Sequence, residues 1–322
     1  MGRGIRVPVI VLAVVSLAGC AARASAVKPE TRPQQAEAAQ VSLFADPVAL
    51  DAYIQEVRAV SQQALARPAR TASITLEGWD KDLAGALLVA TAYPGPESEK
   101  RVAREYIRLK VPDRAAQHYS RAVLMDPKDG EAHEGLARIW RDGGRLGAAL
   151  AAAHRAVYFA PRSAPPQNTL GTILLRLGLT TEALERFDRA VALDPGASYA
   201  LNNTCYARLL GDDFKGAAEA CERALAITPE FVAARNNLAV AYAAAGNFDA
   251  AARALGESGD PASAQFNLGV IDMAGRRYEE AAVAFDEAAR LRPGFALAVK
   301  HAAQARRLAA LALQEGAPDG PR

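Results

Sequence analysis

Six asparagines recur through the later part of the sequence: Asn168, Asn202 and Asn236 stand 34 residues apart, Asn203 and Asn237 adjoin the last two, and Asn267 follows. A carboxamide carries two donors and an acceptor. A row of them at a fixed interval can therefore hydrogen-bond the backbone of an extended peptide with little regard to its side chains. That is binding chemistry, and the chain carries no matching pattern for catalysis. The four histidines, His118, His133, His154 and His301, form no HExxH or other ligand spacing, and each is expected solvated or partly buried on a helix. There is no glycine-rich phosphate loop and no nucleophile elbow, and Asp80-Lys81-Asp82 reads as the polar start of a helix. No catalytic residue, metal ligand, cofactor or small-molecule substrate is assigned, and function is expected on a surface.

The elements that position these asparagines are set by a repeat. Pro127, Pro161, Pro195 and Pro229 are spaced by 34 residues, and alanines precede each at the same two offsets: Ala122, Ala156, Ala190 and Ala224, then Ala115, Ala149, Ala183 and Ala217. Ala288 and Ala281 repeat the pattern before Pro293. Seven residues is about two helical turns, so both alanines fall on one stripe of a second helix, where a small side chain lets a first helix approach. The first helices carry a large-small pair, as in Val102-Ala103, Leu136-Ala137, Leu170-Gly171 and Leu238-Ala239. Gly144, Gly178 and Gly246 supply the left-handed residue that ends the first helix, and the proline ends the second. In two units the glycine, Gly211 or Gly275, comes one residue early, and Arg208 or Asp272 replaces an apolar residue. Looser packing is expected there. Leu238 to Leu268 is 30 residues, so the fifth unit lacks about one helical turn.

Over residues 97–293 this pattern resembles the tetratricopeptide repeat family. The resemblance implies an all-α solenoid of six helix-turn-helix units whose first helices line a concave groove. A diverged helical hairpin is expected over residues 46–96, a capping helix over 294–315, and a frayed tail over 316–322. The family uses asparagine ladders to bind peptides, and Asn168, Asn202, Asn203, Asn236, Asn237 and Asn267 stand just before the large-small pairs where the groove should be. Fixing the stacking of repeats is the other role open to them. Tyr206 and its neighbours Tyr199, Leu209, Leu210, Phe266 and Met273 would add apolar pockets or core. Lys100, Arg101, Glu131, Arg138 and Arg141 would give a charged entrance.

At the start, Arg3 and Arg6 precede an apolar run from Val7 to Ala18 that is too short for the ~20 residues of a membrane span, which marks residues 1–19 as a signal peptide. Leu17-Ala18-Gly19-Cys20 is similar to the lipobox of bacterial lipoproteins, which implies lipidation of Cys20; an ordinary secretory signal with an incidental cysteine is the other reading. Ala21 after the cysteine implies the outer membrane, facing the periplasm, with residues 20–45 as a flexible tether. Cys205 and Cys221 then remain as an even pair in an oxidising compartment, at facing core positions of the fourth unit. They are either two reduced core residues or a disulfide.

With 38 basic and 36 acidic residues the chain has no electrostatic footprint for nucleic acid, and the repeats leave no room for a catalytic domain. The architecture is similar to TadD-type lipoproteins of Flp pilus and tight-adherence loci and to PilF/PilW pilotins of type IV pili. That resemblance implies a non-enzymatic scaffold for other envelope, pilus or secretion proteins, touching the membrane through its lipid alone. A structural spacer or an enzyme-accessory lipoprotein is the alternative.

Overall fold

The computed structural model describes residues 80–315 apart from Ser258, together with Gln55 and Ala59. The expected signal peptide, lipidated Cys20, tether, first part of the 46–96 hairpin and C-terminal tail lie outside the described residues. The chain forms two compact bodies, whose described parts run over 80–194 and 195–315. Among the described residues all regular structure is helical.

The first body opens with α1 (Lys81–Ala92), followed by the hairpins α2 (Pro96–Arg108) with α3 (Pro112–Met125), α4 (Gly130–Asp142) with α5 (Leu146–Phe159), and α6 (Ala164–Arg176) with α7 (Thr180–Leu193). The second contains α8 (Ser198–Leu210) with α9 (Phe214–Ile227), α10 (Val232–Ala244) with α11 (Phe248–Gly256), and α12 (Pro261–Ala274) with α13 (Tyr278–Leu291), then α14 (Ala296–Glu315). These are the six expected units and the terminal helix. The helix expected from Trp79 begins at Lys81, because the Asp80 carboxylate accepts from the backbone N–H groups of Asp82 and Leu83 and so caps it.

The packing follows the sequence pattern closely. All ten repeat alanines, from Ala115 and Ala122 to Ala281 and Ala288, are 0% exposed. Where the small member of the first-helix pair is glycine, the space belongs to an aromatic ring. A Cβ on Gly171 would lie 2.5 Å from the Phe187 ring, and one on Gly269 would lie 2.8 Å from Phe285. Burial of each ring contributes roughly 1.5–3 kcal/mol.

Every hairpin closes its first helix in the same way. A residue of positive φ is followed by one whose N–H donates to a carbonyl five residues back, for example Arg145 to Trp140 at 2.8 Å and Leu179 to Leu174 at 3.0 Å. Gly144, Gly178 and Gly246 hold the left-handed position, as the sequence predicts. In the units where glycine comes early the strain falls on Asp212 and Arg276, and in the first hairpin on Lys110.

The two polar replacements are engaged differently. Arg208 donates to the Gly216 carbonyl at 3.0 Å, tying α8 to the start of α9. Asp272, 3% exposed, lies 3.6 Å from Arg277. Burial, opposed by Arg277, raises its carboxyl pKa to about 6. The fourth unit thus has a hydrogen-bonded tie, while in the sixth Asp272 Oδ1 is buried without a hydrogen-bond partner. The shortened fifth unit is plain: α11 has 9 residues where the other second helices have 14.

Candidate protein-interaction face

Within each body, a residue just before the large-small pair of one first helix bonds to one just before the pair of the next. In the second body the two residues before the pair are Asn202 and Asn203, Asn236 and Asn237, and Phe266 with Asn267, and asparagines of successive units bond to one another. The Asn237 amide donates to the Asn202 carbonyl oxygen at 3.0 Å, and Asn267 donates to Asn236 at 3.1 Å. Each time the earlier residue of one unit accepts from the later residue of the next. The first body repeats this register with different chemistry, since the Thr169 hydroxyl donates to a Glu134 carboxylate oxygen at 2.7 Å. Neither Glu134 nor Thr169 was singled out from the sequence, although their place before the large-small pairs was the available signal.

This row is therefore a rail that couples successive hairpins. Asn237 is 1% exposed and Asn236 7%, with Asn202, Asn203 and Asn267 half-buried. The Asn237 carbonyl oxygen is buried without a hydrogen-bond partner. Asn168 lies on α6 in the first body, half-buried beside Thr169, and the other five asparagines lie in the second body. Stacking, one of the two roles open to these residues, is the one the pairs perform.

The side chains beyond the rail differ between the bodies. On α2, Lys100 is 7% exposed and is gripped by Glu97 at 3.0 Å, Asp129 at 2.9 Å and Glu131 at 2.9 Å. Burial works to lower its pKa, but the bonds to Glu131, Asp129 and Glu97 hold the ammonium above the ordinary lysine value. Arg104 bridges Glu97 at 3.0 Å and Glu131 at 2.5 Å, and Arg141 donates to Thr172 at 2.9 Å. Of the charged residues suggested for the entrance, Lys100 is buried in an ion-pair network and Arg141 half-buried, while Arg101, Glu131 and Arg138 are exposed. Beside it a cleft of about 140 Å³ is lined by Arg104, Ile107, Tyr119, Gly135, Arg138, Ile139 and Asp142. That is well below the roughly 300–1,000 Å³ of small-molecule sites.

In the second body, α8, α10 and α12 carry one charged residue each, Arg208, Arg235 and Asp272. All three are engaged within the body: Arg208 with Gly216, Arg235 with Glu257 at 2.9 Å and the Pro229 carbonyl, Asp272 with Arg277. The surface of these helices includes Tyr206, Leu209, Leu210, Ala243, Ala244 and Met273, half-buried apart from Leu210 at 40% exposure, beside half-buried polar residues such as Tyr199, Asn203 and Gln265. Burial raises the Tyr206 pKa, which keeps its phenol neutral. Phe266 belongs to the core, packed with Phe285, Phe295 and Ala302.

The remaining candidates are accounted for by structure. Cys205 on α8 and Cys221 on α9 are 0% exposed and joined as a disulfide, with Cα atoms 5.4 Å apart. His154 and His301 are partly buried as expected, whereas His118 and His133 are deeper. His118 Nδ1 lies 2.6 Å from Glu99, and His133 is 1% exposed with Nε2 3.0 Å from the Pro127 carbonyl. His301 stacks on Phe285. Among the described residues one acidic triplet, Asp80, Asp82 and Glu105, has metal-ligand spacing. Arg108 reaches Asp80 at 2.5 Å and Glu105 at 2.7 Å, which supplies the counter-charge there. No described helix is long and apolar enough to cross a membrane.

Comparison with known proteins agrees with this architecture. Profiles described as "Tetratricopeptide repeat" match residues 103–166 and 168–230, and residues 208–265. Protein FlbA of Caulobacter vibrioides is 31% identical over 118 residues, which is 37% of this chain and 20% of that protein. Among solved structures, the APC/C hetero-tetramer Cut9–Hcn1 is similar with a TM-score of 0.59 at 20% identity, covering 85% of this chain and 52% of that one. PilW, a widely conserved type IV pilus biogenesis factor, gives a TM-score of 0.55 at 24% identity, covering 62% of this chain and 94% of its own. This chain thus spans a fifth of FlbA and about half of the matched chain of the Cut9–Hcn1 structure, and the structural likenesses are likenesses of fold. With profiles over half of its length and six hairpins of one pattern, the chain belongs to the tetratricopeptide repeat family.

Proposed function

We propose that the protein is a non-enzymatic scaffold that binds segments of partner proteins on its first-helix faces and is held at the outer membrane, facing the periplasm, by lipid on Cys20. The observation that carries the binding role is the second body's first-helix surface. Its charges are turned into internal contacts, while Leu210, Leu209, Tyr206 and Met273 remain available. A surface of low charge with aromatic, leucine and methionine side chains has the composition of an interface centre. The lipobox-like Leu17-Ala18-Gly19-Cys20 supports the anchor, and the fold shared with PilW supports assembly of a pilus or secretion system as the setting.

The test is cross-linking in intact cells followed by purification, comparing the parent protein with Leu210→Glu. Loss of a dominant partner from a folded variant is expected, and retention of every partner would move the working surface elsewhere. In parallel, Cys20→Ser should transfer the protein from the membrane to the soluble envelope fraction. Unchanged membrane association would remove the lipid anchor from the reading.

A further inference from the structure

The sixth hairpin carries a carboxyl group where other hairpins pack apolar side chains. The place of Asp272 in α12 is held by Trp140 in α4 and Leu174 in α6, at 3% and 2% exposure, and Asp272 is itself 3% exposed. Its Oδ1 is buried without a hydrogen-bond partner, since Arg277 Nε at 3.6 Å stands beyond bonding distance. Arg277 is held elsewhere. Its guanidinium lies 4.5 Å from the ring centre of Phe248 on α11, its Nε donates to Glu280 at 3.3 Å, and its backbone N–H donates to the Asp272 carbonyl at 2.8 Å. A Cβ on Gly275 would lie 2.5 Å from the same ring, so the turn between α12 and α13 rests on α11. Asp272 is thus at the joint of the fifth and sixth hairpins. Among the described residues Arg277 is its sole ion-pair partner; Asp249 and Arg253 of α11, Arg235 of α10, and Lys300 and His301 of α14 make no pair with it.

We propose that Asp272 makes this joint acid-responsive, so that the sixth hairpin is firm on the fifth while the carboxyl carries a proton and loosens when it ionises. An ionised carboxylate only accepts, and Oδ1 finds no donor in its apolar slot. The protonated acid removes the buried charge and brings a donor of its own. Burial raises the pKa to about 6, opposed by Arg277 and aided by Glu280. The folded carboxyl therefore keeps its proton to about pH 6, whereas the unfolded one releases it near 3.8. The stabilisation is complete below the unfolded value and is lost as pH rises through 6. The buried His133 and His154 of the first body, lowered to about 4, work in the opposite sense. Acid thus firms the end of the second body while it weakens the first, whichever surface the protein uses to bind.

The test is amide hydrogen exchange along α12 and α13 of the full chain at pH 5 and pH 7, in the parent and in Asp272→Asn. Each rate is divided by that of an unstructured chain at the same pH, which removes the pH dependence of exchange itself. Protection in the parent is expected to be about tenfold higher at pH 5 than at pH 7. Asp272→Asn, which holds a neutral group of the same shape, should be protected equally at both. Equal protection of the parent at the two pH values overturns the proposal, as does an undiminished pH effect in Asp272→Asn. Should the variant fail to fold, carbon-13 titration of the Asp272 carboxyl in the parent decides: a midpoint near 6 upholds the joint, and one in the ordinary carboxylate range near 4 overturns it.

Discussion

Replacing Cys205 by glycine and Cys221 by phenylalanine should free the fourth hairpin from its dependence on a covalent bond. The two cysteines are 16 residues apart, the separation that also relates Gly171 to Phe187 and Gly269 to Phe285. The disulfide therefore occupies the place where two other hairpins set a ring against a glycine. Phe187 is 0% and Phe285 1% exposed, so that ring is a major part of each hairpin's core. In the fourth hairpin Arg208 also stands where Trp140 packs at 3% exposure, which removes a second large apolar contact. Loop entropy for a 16-residue closure is about 3 kcal/mol. Reduction should lower local stability by that amount and leave two thiols where neighbouring units hold a ring. The assay is amide hydrogen exchange along α8 and α9 with and without dithiothreitol, because repeat arrays open locally. The parent should exchange about a hundredfold faster there when reduced, at 1.4 kcal/mol per tenfold. The glycine–phenylalanine variant should not respond. Unchanged exchange in the reduced parent, or two titratable thiols in the denatured and unreduced protein, would refute the reasoning.

Two further outcomes follow from the rail and from the buried imidazoles. Asn237→Ala should cost about 1–2 kcal/mol, moderated because the substitution also removes the unpartnered buried oxygen. A double-mutant cycle with Asn202→Ala should return a coupling of about 0.5–1.5 kcal/mol by urea unfolding, and a coupling near zero would dismiss the rail. His133 is held neutral in the folded state, its pKa lowered to about 4 by burial foremost. His154 is lowered to about 4 by burial and by Arg186. Since the unfolded imidazoles take up protons first, stability present above pH 6.5 is lost as pH falls toward 4, by about 3 kcal/mol per group. Acid unfolding monitored by circular dichroism should show a shallower slope in His133→Gln, and an identical slope would count against a buried neutral His133.

The hairpins were legible because their signals are local and repeated. A proline after each second helix, a glycine at the left-handed turn and alanines seven apart each impose one backbone geometry, and the structure places all of them as read. The asparagines were found for a sound reason and stand at the predicted positions. Their contacts with one another were not legible, because a carboxamide can serve a ligand or a neighbour equally, and the 3.0 Å bond between Asn237 and Asn202 is visible only in the structure. Glu134 and Thr169 were missed because a glutamate and a threonine do not look like a repeat, although the register gives them one function. Lys100 read as a groove charge because one-dimensional position does not reveal that Glu97, Asp129 and Glu131 converge on it.

The short helix α11 has a bearing on how this array can be altered. Bonded rail partners are 35 residues apart between Asn202 and Asn237, and 31 apart between Asn236 and Asn267. Four residues have gone from the chain between the second pair, yet the same two carboxamide atoms meet at almost the same distance. The rail is indifferent to the contour length of the hairpin it bypasses, because a deletion near one 3.6-residue turn restores the heading of the chain. A second helix about one turn shorter is thus compatible with an unchanged rail contact. For a designer this makes α11 a splice point, where an epitope or a reporter can enter while the opposite side of the protein goes on presenting the same residues.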